Sequence, residues 1–259
     1  MRIRGQTALN PSKHVRDYAA LAQRLKTCLT EFESRVSTFS LDVEGELYDL
    51  YRIVLGRGNP KRALLTAGIH GDEPSGVETL LQFLETRQYE RYTDRWELTV
   101  VPCINPSGWV RNTRENAAGV DLNRKFKTAA PPTEVEWMQS LFELPYDLDL
   151  ELHEDIDSPG YYLYQKEAPP LIDLGRQITG AVSGIMPINR ASEIEEMPAE
   201  NGVLSRLSDP DEMEWWPMAL YAVSQGCPKV YTLETGTDFP METRTRAHLK
   251  AIEVAFDRL

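Results

Sequence analysis

The chain has 259 residues, 41% of them hydrophobic and 26% charged, which is the composition of a soluble globular protein long enough to bury a proper core. Its formal net charge is -12 at pH 7, which argues against nucleic acid as a partner, because phosphate contacts need clustered Lys and Arg. The three cysteines, Cys28, Cys103 and Cys227, are far apart and form no CxxC pair, so a reducing compartment is expected rather than a disulfide framework or a cysteine zinc knuckle. No apolar stretch approaches the ~18–20 residues of a membrane span. The N-terminal MRIRGQTALNPSKHVRDY lacks the apolar segment of a signal peptide, which makes the cytoplasm the expected location.

In chain order, KHVRDYAALAQRLKTCLTEFESR predicts a long helix, with Asn10 or Ser12 as its cap. Val15, Tyr18, Leu21, Leu25, Leu29 and Phe32 form its apolar stripe. GELYDLYRIVLG, Gly45–Gly56, reads as a strand, and Gly58–Pro60 as a turn. Leu64–Ile69 is a short apolar run of buried-strand type. Val77, Leu80, Leu81 and Leu84 then recur at helical spacing, with Pro74 suited to the helix's first turn. WELTVVPCIN predicts a strand, NPSGWVRNTRENAAGVDLNRKF a loop and PTEVEWMQSLFEL a capped helix. In Tyr146–Glu154, Leu148, Leu150 and Leu152 alternate with Asp147, Asp149, Glu151 and His153, the pattern of a half-buried strand. A helix is expected around Ala168–Gly184, then a long irregular stretch, Ile185–Pro217, that holds a functional loop or small elements. PKVYTLE predicts a strand and TRTRAHLKAIEVAF the C-terminal helix. Strands alternating with helices imply an α/β fold: a mixed, mostly parallel central sheet with helices on both faces. One domain over residues 1–259 is expected, with 1–60 as an N-terminal helix and strand extension.

Chemistry concentrates at predicted strand ends, where open α/β sheets keep their sites. His70 and Glu73 lie between the Leu64–Ile69 strand and the following helix, and His153 closes a later strand. Two imidazoles and one carboxylate suit Zn²⁺ and leave a fourth position for water. The loop after WELTVVPCIN carries Arg111, Arg114 and Arg124. A guanidinium grips a carboxylate through two parallel hydrogen bonds, so this loop can capture an anion. Glu234 ends the apolar VYTLE, and a carboxylate there is costly unless solvated, paired or working as a general base.

Five stretches occur in one order: HGDEPSG (His70–Gly76), NPSGW (Asn105–Trp109), RENAAGVDLNRKF (Arg114–Phe126), ELHED (Glu151–Asp155) and LETGT (Leu233–Thr237). Together they resemble the zinc carboxypeptidase family, the M14 type of metallopeptidase, related to the succinylglutamate desuccinylase/aspartoacylase group. The resemblance implies that His70, Glu73 and His153 hold one Zn²⁺ per chain. It implies that Arg114 stabilises the oxyanion at the scissile carbonyl, and that Asn123 and Arg124 bind the substrate's terminal carboxylate. Glu234 would be the general base toward a zinc-activated water, and Asp121 would orient His70. The implied reaction is hydrolysis of a C-terminal peptide bond in a peptide or N-acyl amino acid with a free carboxylate; the charge and the lack of a long apolar stretch add the expectation of neither nucleic acid nor membrane as partner. The same zinc scaffold serves deacylases of N-acyl amino acids, which usually read HGNE where this chain reads HGDE. The family's mobile tyrosine has four candidates here, Tyr161, Tyr162, Tyr164 and Tyr221. Arg190, Arg206 and the acids of EIEEMPAE are candidates for the pocket rim.

Overall fold

Residues 16–29, 36–205 and 213–259 are described by a computed structural model. The helices among them are α1 (Tyr18–Leu29), α2 (Pro74–Glu85), α3 (Pro106–Arg111), α4 (Thr133–Ser140), α5 (Leu174–Val182), α6 (Met218–Ser224) and α7 (Met241–Arg258). The strands are β1 (Val36–Val43), β2 (Glu46–Leu55), β3 (Lys61–Ala67), β4 (Trp96–Val101), β5 (Leu148–Asp155), β6 (Tyr162–Glu167), β7 (Glu193–Ile194), β8 (Met197–Pro198), β9 (Val203–Ser205) and β10 (Lys229–Gly236). Eight of them form one mixed sheet in the order β1-β2-β4-β3-β5-β10-β6-β9. Its centre, β4-β3-β5-β10, is parallel. Antiparallel pairs flank that centre: β1 with β2, β2 with β4, and β6 with β10.

Helices cover both faces. Leu65, Leu150 and Leu233 of the sheet pack with Leu80 and Leu84 of α2, Ile178 of α5 and Ala251 of α7. Their strand neighbours Leu64, Val101 and Val230 point the other way, toward Val135 and Met138 of α4 and Met218 and Ala222 of α6. This follows from the alternation of side chains along a strand. Val77, Leu80, Leu81 and Leu84 of α2 are all buried, as their spacing predicts. Each contributes roughly 1.5–3 kcal/mol by leaving water. Among the described residues no helix is long and apolar enough to cross a membrane.

Several elements differ from the sequence reading. The loop after β4 contains a two-turn helix, α3. Asn105 opens it by accepting the Gly108 N–H on its side chain, and Pro106 sits at a position that needs no N–H. The helix at PTEVEW has Pro132 at its cap position and no side-chain cap bond. The helix placed around Ala168–Gly184 begins only at Leu174, because β6 extends to Glu167. β1, β6 and α6 were not anticipated. The stretch 185–217 holds the β7–β8 hairpin and β9, which are too short to give a periodic signal. The predicted first helix is seen from Tyr18 to Leu29; Asn10, Ser12, Val15 and Phe32 lie outside the described residues.

β5 departs most. Its alternation reads as half-buried, yet Asp149 is 0% exposed, Glu151 1% and His153 3%. A strand between two parallel neighbours is covered on both faces, so its polar face is interior too.

Candidate metal centre

Where β3 stops, the chain turns through Gly68, Ile69 and His70, and α2 starts at Pro74 with Glu73 at the cap position. β5 delivers His153 near its carboxyl end, and β10 sets Glu234 directly beside it in register. One ligand atom from each of His70, Glu73 and His153 falls within 4.8 Å of the others, and all three residues are buried. His70 Nδ1 is 2.6 Å from Glu73 Oε1, and His153 Nδ1 is 2.8 Å from Glu73 Oε2. Both imidazoles thus turn the same nitrogen inward around one carboxylate. Two nitrogens and a carboxylate oxygen converging in a buried spot fit a Zn²⁺-type donor set. No other group of three or more such side chains occurs among the described residues, and the cysteines are free and take no part.

The outer nitrogen of His70, Nε2, is 3.2 Å from Asp121 Oδ1. A carboxylate on that nitrogen fixes the ring and its tautomer. Burial alone would raise the Glu73 pKa, but His70 and His153 outweigh it and hold the carboxyl far below its usual range. Asp121 follows the same pattern: burial raises its pKa, and His70 and Arg114 bring it down further. For His153 burial lowers the pKa, and the negative Glu73 and Glu151 raise it well above the ordinary value.

Backbone packing sets the position of this turn. A Cβ on Gly71 would lie 1.9 Å from the Gly108 carbonyl carbon, so only glycine lets the His70–Glu73 turn rest on α3. A Cβ on Gly76 would meet the Leu152 carbonyl oxygen at 2.7 Å, so glycine also sets how closely α2 approaches β5. Arg16 braces the turn by donating Nη1 to the Gly71 carbonyl at 2.6 Å while stacking on Trp109. Asn105, fully buried, donates to the carbonyls of Ile69 and Arg114 and so ties the two halves of the site together.

Arg114 reaches the same centre. Its Nε donates to Asp121 Oδ2 at 3.0 Å, and its Nη1 lies 3.3 Å from Glu73 Oε1 and 3.2 Å from His70 Nδ1. The turn Leu122–Arg124 follows directly, capped by the Asp121 side chain on the Asn123 N–H. The Asn123 carbonyl oxygen accepts the Met218 N–H at the start of α6, which leaves its NH₂ as the group it can offer. The Arg124 guanidinium stacks on Trp215, 4.0 Å from the ring centroid. Glu234 is 9% exposed; burial raises its pKa well above the carboxylate range, against the opposing pull of His153.

Other candidates sit elsewhere. Arg111 pairs with Glu44 at the exposed β1–β2 turn and leaves the anion-capture group. Glu154 accepts from the Ser75 N–H and from Arg244, so it is committed to holding α2 and α7. Tyr221 packs against Phe126 and Phe142, and Tyr161 is fully buried. Tyr162 donates to Asp155 and stands beside Glu234 in register; Tyr164 packs on Tyr162. Arg190 is exposed, and Arg206 lies outside the described residues. Sequence reasoning gave no role to Arg16, Asn105, Trp215, Asp149 or Glu151. Asn105 opens the NPSGW stretch, and the last two lay in the β5 alternation, a pattern that pointed to solvent.

The succinylglutamate desuccinylase/aspartoacylase catalytic domain matches residues 59–168, the segment that contains His70, Glu73, His153, Arg114 and Arg124. Murein peptide amidase A of Escherichia coli (strain K12) is 46% identical over 66 residues, and that match covers 26% of this chain and 26% of the amidase. The chain therefore spans about a quarter of the length of the curated relatives it matches. Among solved structures, a presumed metallopeptidase of Shewanella amazonensis superposes with a TM-score of 0.77 at 21% identity, over 92% of this chain and 91% of the other. A metallo-carboxypeptidase of Pseudomonas aeruginosa, in complex with (2-guanidinoethylmercapto)succinic acid, gives 0.66 at 20% identity, over 91% of this chain and 67% of the other. These structures share the fold.

Proposed function

We propose, from its likeness to an M14-like family of metal-dependent hydrolases, that this chain is a zinc metallocarboxypeptidase that cleaves the amide bond next to a free carboxylate. The observation that carries the reading is the convergence of His70, Glu73 and His153, with Arg114 against Glu73 and Glu234 beside His153. Zinc held by those three residues would polarise the scissile carbonyl and lower the pKa of water.

The chain's own groups supply the rest. Glu234, buried and directly beside His153 in register, is placed to take a proton from water and return it to the leaving nitrogen. Arg114, anchored by Asp121, presents a fixed guanidinium to charge developing on the carbonyl oxygen. Arg124, held flat on Trp215, has the planar fork that matches a carboxylate, and the Asn123 NH₂ adds a neutral donor. The relative named murein peptide amidase A makes short peptides with a free carboxylate the first substrates to try.

A second reading, deacylation of N-acyl amino acids, is favoured by the desuccinylase/aspartoacylase match over residues 59–168. Both readings need the metal, the base and a carboxylate reader; they differ in what lies on the acyl side. The test is a panel of short free-acid peptides, their C-terminal amides, and N-acetyl and N-succinyl amino acids, before and after chelation. Chelator-sensitive release of the C-terminal residue from free-acid peptides supports the peptidase. Turnover of acyl amino acids alone would replace it with the deacylase. Turnover that survives complete metal removal would refute both.

A further inference from the structure

Three polar side chains share one face of β5 at alternate positions, Asp149, Glu151 and His153, and all are buried. The register sets Glu151 between Thr66 of β3 and Thr232 of β10, in the middle of the parallel block. Its Oε2 accepts the Thr232 hydroxyl at 3.4 Å and lies 3.8 Å from His153 Nε2. Its Oε1 has no hydrogen-bond partner among the described residues other than the neighbouring Asp149 carboxyl. A carboxylate buried here costs desolvation, and a Val or Leu would fill the same space without that cost. Stability therefore does not account for it.

The chemistry of His153 does. An imidazole that turns Nδ1 toward a metal must carry its proton on Nε2, and that N–H needs an acceptor when buried. His70 has one in Asp121. Around His153 the carboxylate within 4 Å of Nε2 is Glu151. At 3.8 Å the contact is electrostatic rather than a hydrogen bond, and side-chain movement of under about 1 Å closes it. Asp149 is next in the column; burial, and then the Glu151 charge, raise its pKa well above the carboxylate range, so a neutral acid lies behind Glu151 rather than a competing charge.

We infer that Glu151 is a positioning residue for His153: it holds Nε2–H, fixes the tautomer and so presents Nδ1 to the metal. The inference rests on the reading of His153 as a ligand. It gives each histidine of the centre its own carboxylate, Asp121 for His70 and Glu151 for His153, one from a loop and one from the strand itself.

The experiment measures zinc dissociation constants by competition with a chromophoric chelator, alongside the Tm of the metal-free protein, for wild type, Glu151→Gln, Glu151→Leu and His153→Ala. Removal of such an outer partner typically weakens a metal about 10–100-fold, so Glu151→Leu should fall in that range and Glu151→Gln, which keeps a neutral acceptor, should lose less. The metal-free Tm of Glu151→Leu should equal or exceed wild type, since the desolvation cost of a buried carboxylate is gone. A residue that merely supports the fold would give the opposite: a lower Tm with zinc affinity unchanged, which overturns the inference. If His153→Ala binds zinc as tightly as wild type, the ligand reading itself fails. If His153→Ala loses zinc and Glu151→Leu does not, only the present inference fails. Should the Glu151 variants not fold, proton NMR of zinc-loaded wild type decides the matter. A slowly exchanging, downfield His153 Nε2–H supports the inference, and its absence overturns it.

Discussion

Replacing Gly71 with alanine should empty the metal centre without touching a ligand. Gly71 stands between His70 and Glu73, and its backbone is not left-handed, so the effect is purely steric. An added Cβ would sit 1.9 Å from the Gly108 carbonyl carbon, 2.2 Å from the Trp109 nitrogen and 2.3 Å from the Gly108 oxygen. Non-bonded carbon contacts rest at about 3.5–4.0 Å, so the turn and α3 must separate by more than about 1 Å. All three obstacles are backbone atoms of a helix that Asn105 caps, so no side-chain rotation relieves the clash. Arg16, stacked on Trp109 of α3, also holds the turn to that helix through the Gly71 carbonyl. Metal–ligand distances tolerate only about 0.2 Å, so His70 and Glu73 can no longer both reach an ion shared with His153. Overpacking of this kind costs about 1–3 kcal/mol in stability, which at about 2–4 °C per kcal/mol lowers the Tm by roughly 2–12 °C. The assay pairs differential scanning fluorimetry of the metal-free protein with zinc titration, and zinc affinity should drop at least about tenfold. Gly180→Ala is the control. Gly180 is exposed on α5 with nothing within 4 Å of the new methyl, so that variant should gain up to about 1 kcal/mol and bind zinc normally. If Gly71→Ala keeps both its Tm and its zinc, the contact with α3 does not set the site's geometry and the reasoning is wrong.

Glu234→Gln should lower kcat by about 10²–10⁴-fold while zinc content and Tm hold, because it removes the base and keeps the size; near-normal kcat would mean that another group moves the proton. Wild type should prefer a free-acid substrate to its C-terminal amide, and Arg124→Ala should abolish that preference at a cost of about two to four orders of magnitude in kcat/KM, given roughly 1.5–3 kcal/mol for each charged bond. Equal cleavage of both forms by wild type would remove Arg124 as a carboxylate reader. His248 is fully buried, and burial lowers its pKa from 6.5 to about 3. The unfolded chain takes up a proton near pH 6.5 that the folded chain refuses until about pH 3. Stability from this group is therefore complete above pH 6.5 and falls by about 1.4 kcal/mol per pH unit below it. A His248→Phe variant should show a shallower fall of Tm with acid across that window, and an unchanged acid profile would show that His248 stays protonated in the fold.

The periodicity of Val77, Leu80, Leu81 and Leu84 determined α2, and the short apolar runs determined β3, β4, β5 and β10, because those patterns are local and repeat with the geometry of the element itself. His70, Glu73 and His153 were legible as candidates for a related reason: each falls where a strand stops, and a parallel block collects its strand ends on one edge. Short elements such as α3, β7, β8 and β9 had no such repeat to reveal them, and β1, β6 and α6 went unread as well. The loop's composition did not separate Arg111 from Arg114; the family resemblance singled out Arg114, and the fold supplies the physical reason, since α3 turns one to Glu44 and solvent and the other to Asp121 and Glu73. Tertiary structure alone decided what the polar face of β5 meets. Alternation records that Asp149, Glu151 and His153 point the same way, but not what lies there. Only the neighbouring strands and α6 made that side interior, where a carboxylate persists when it has a partner to hold.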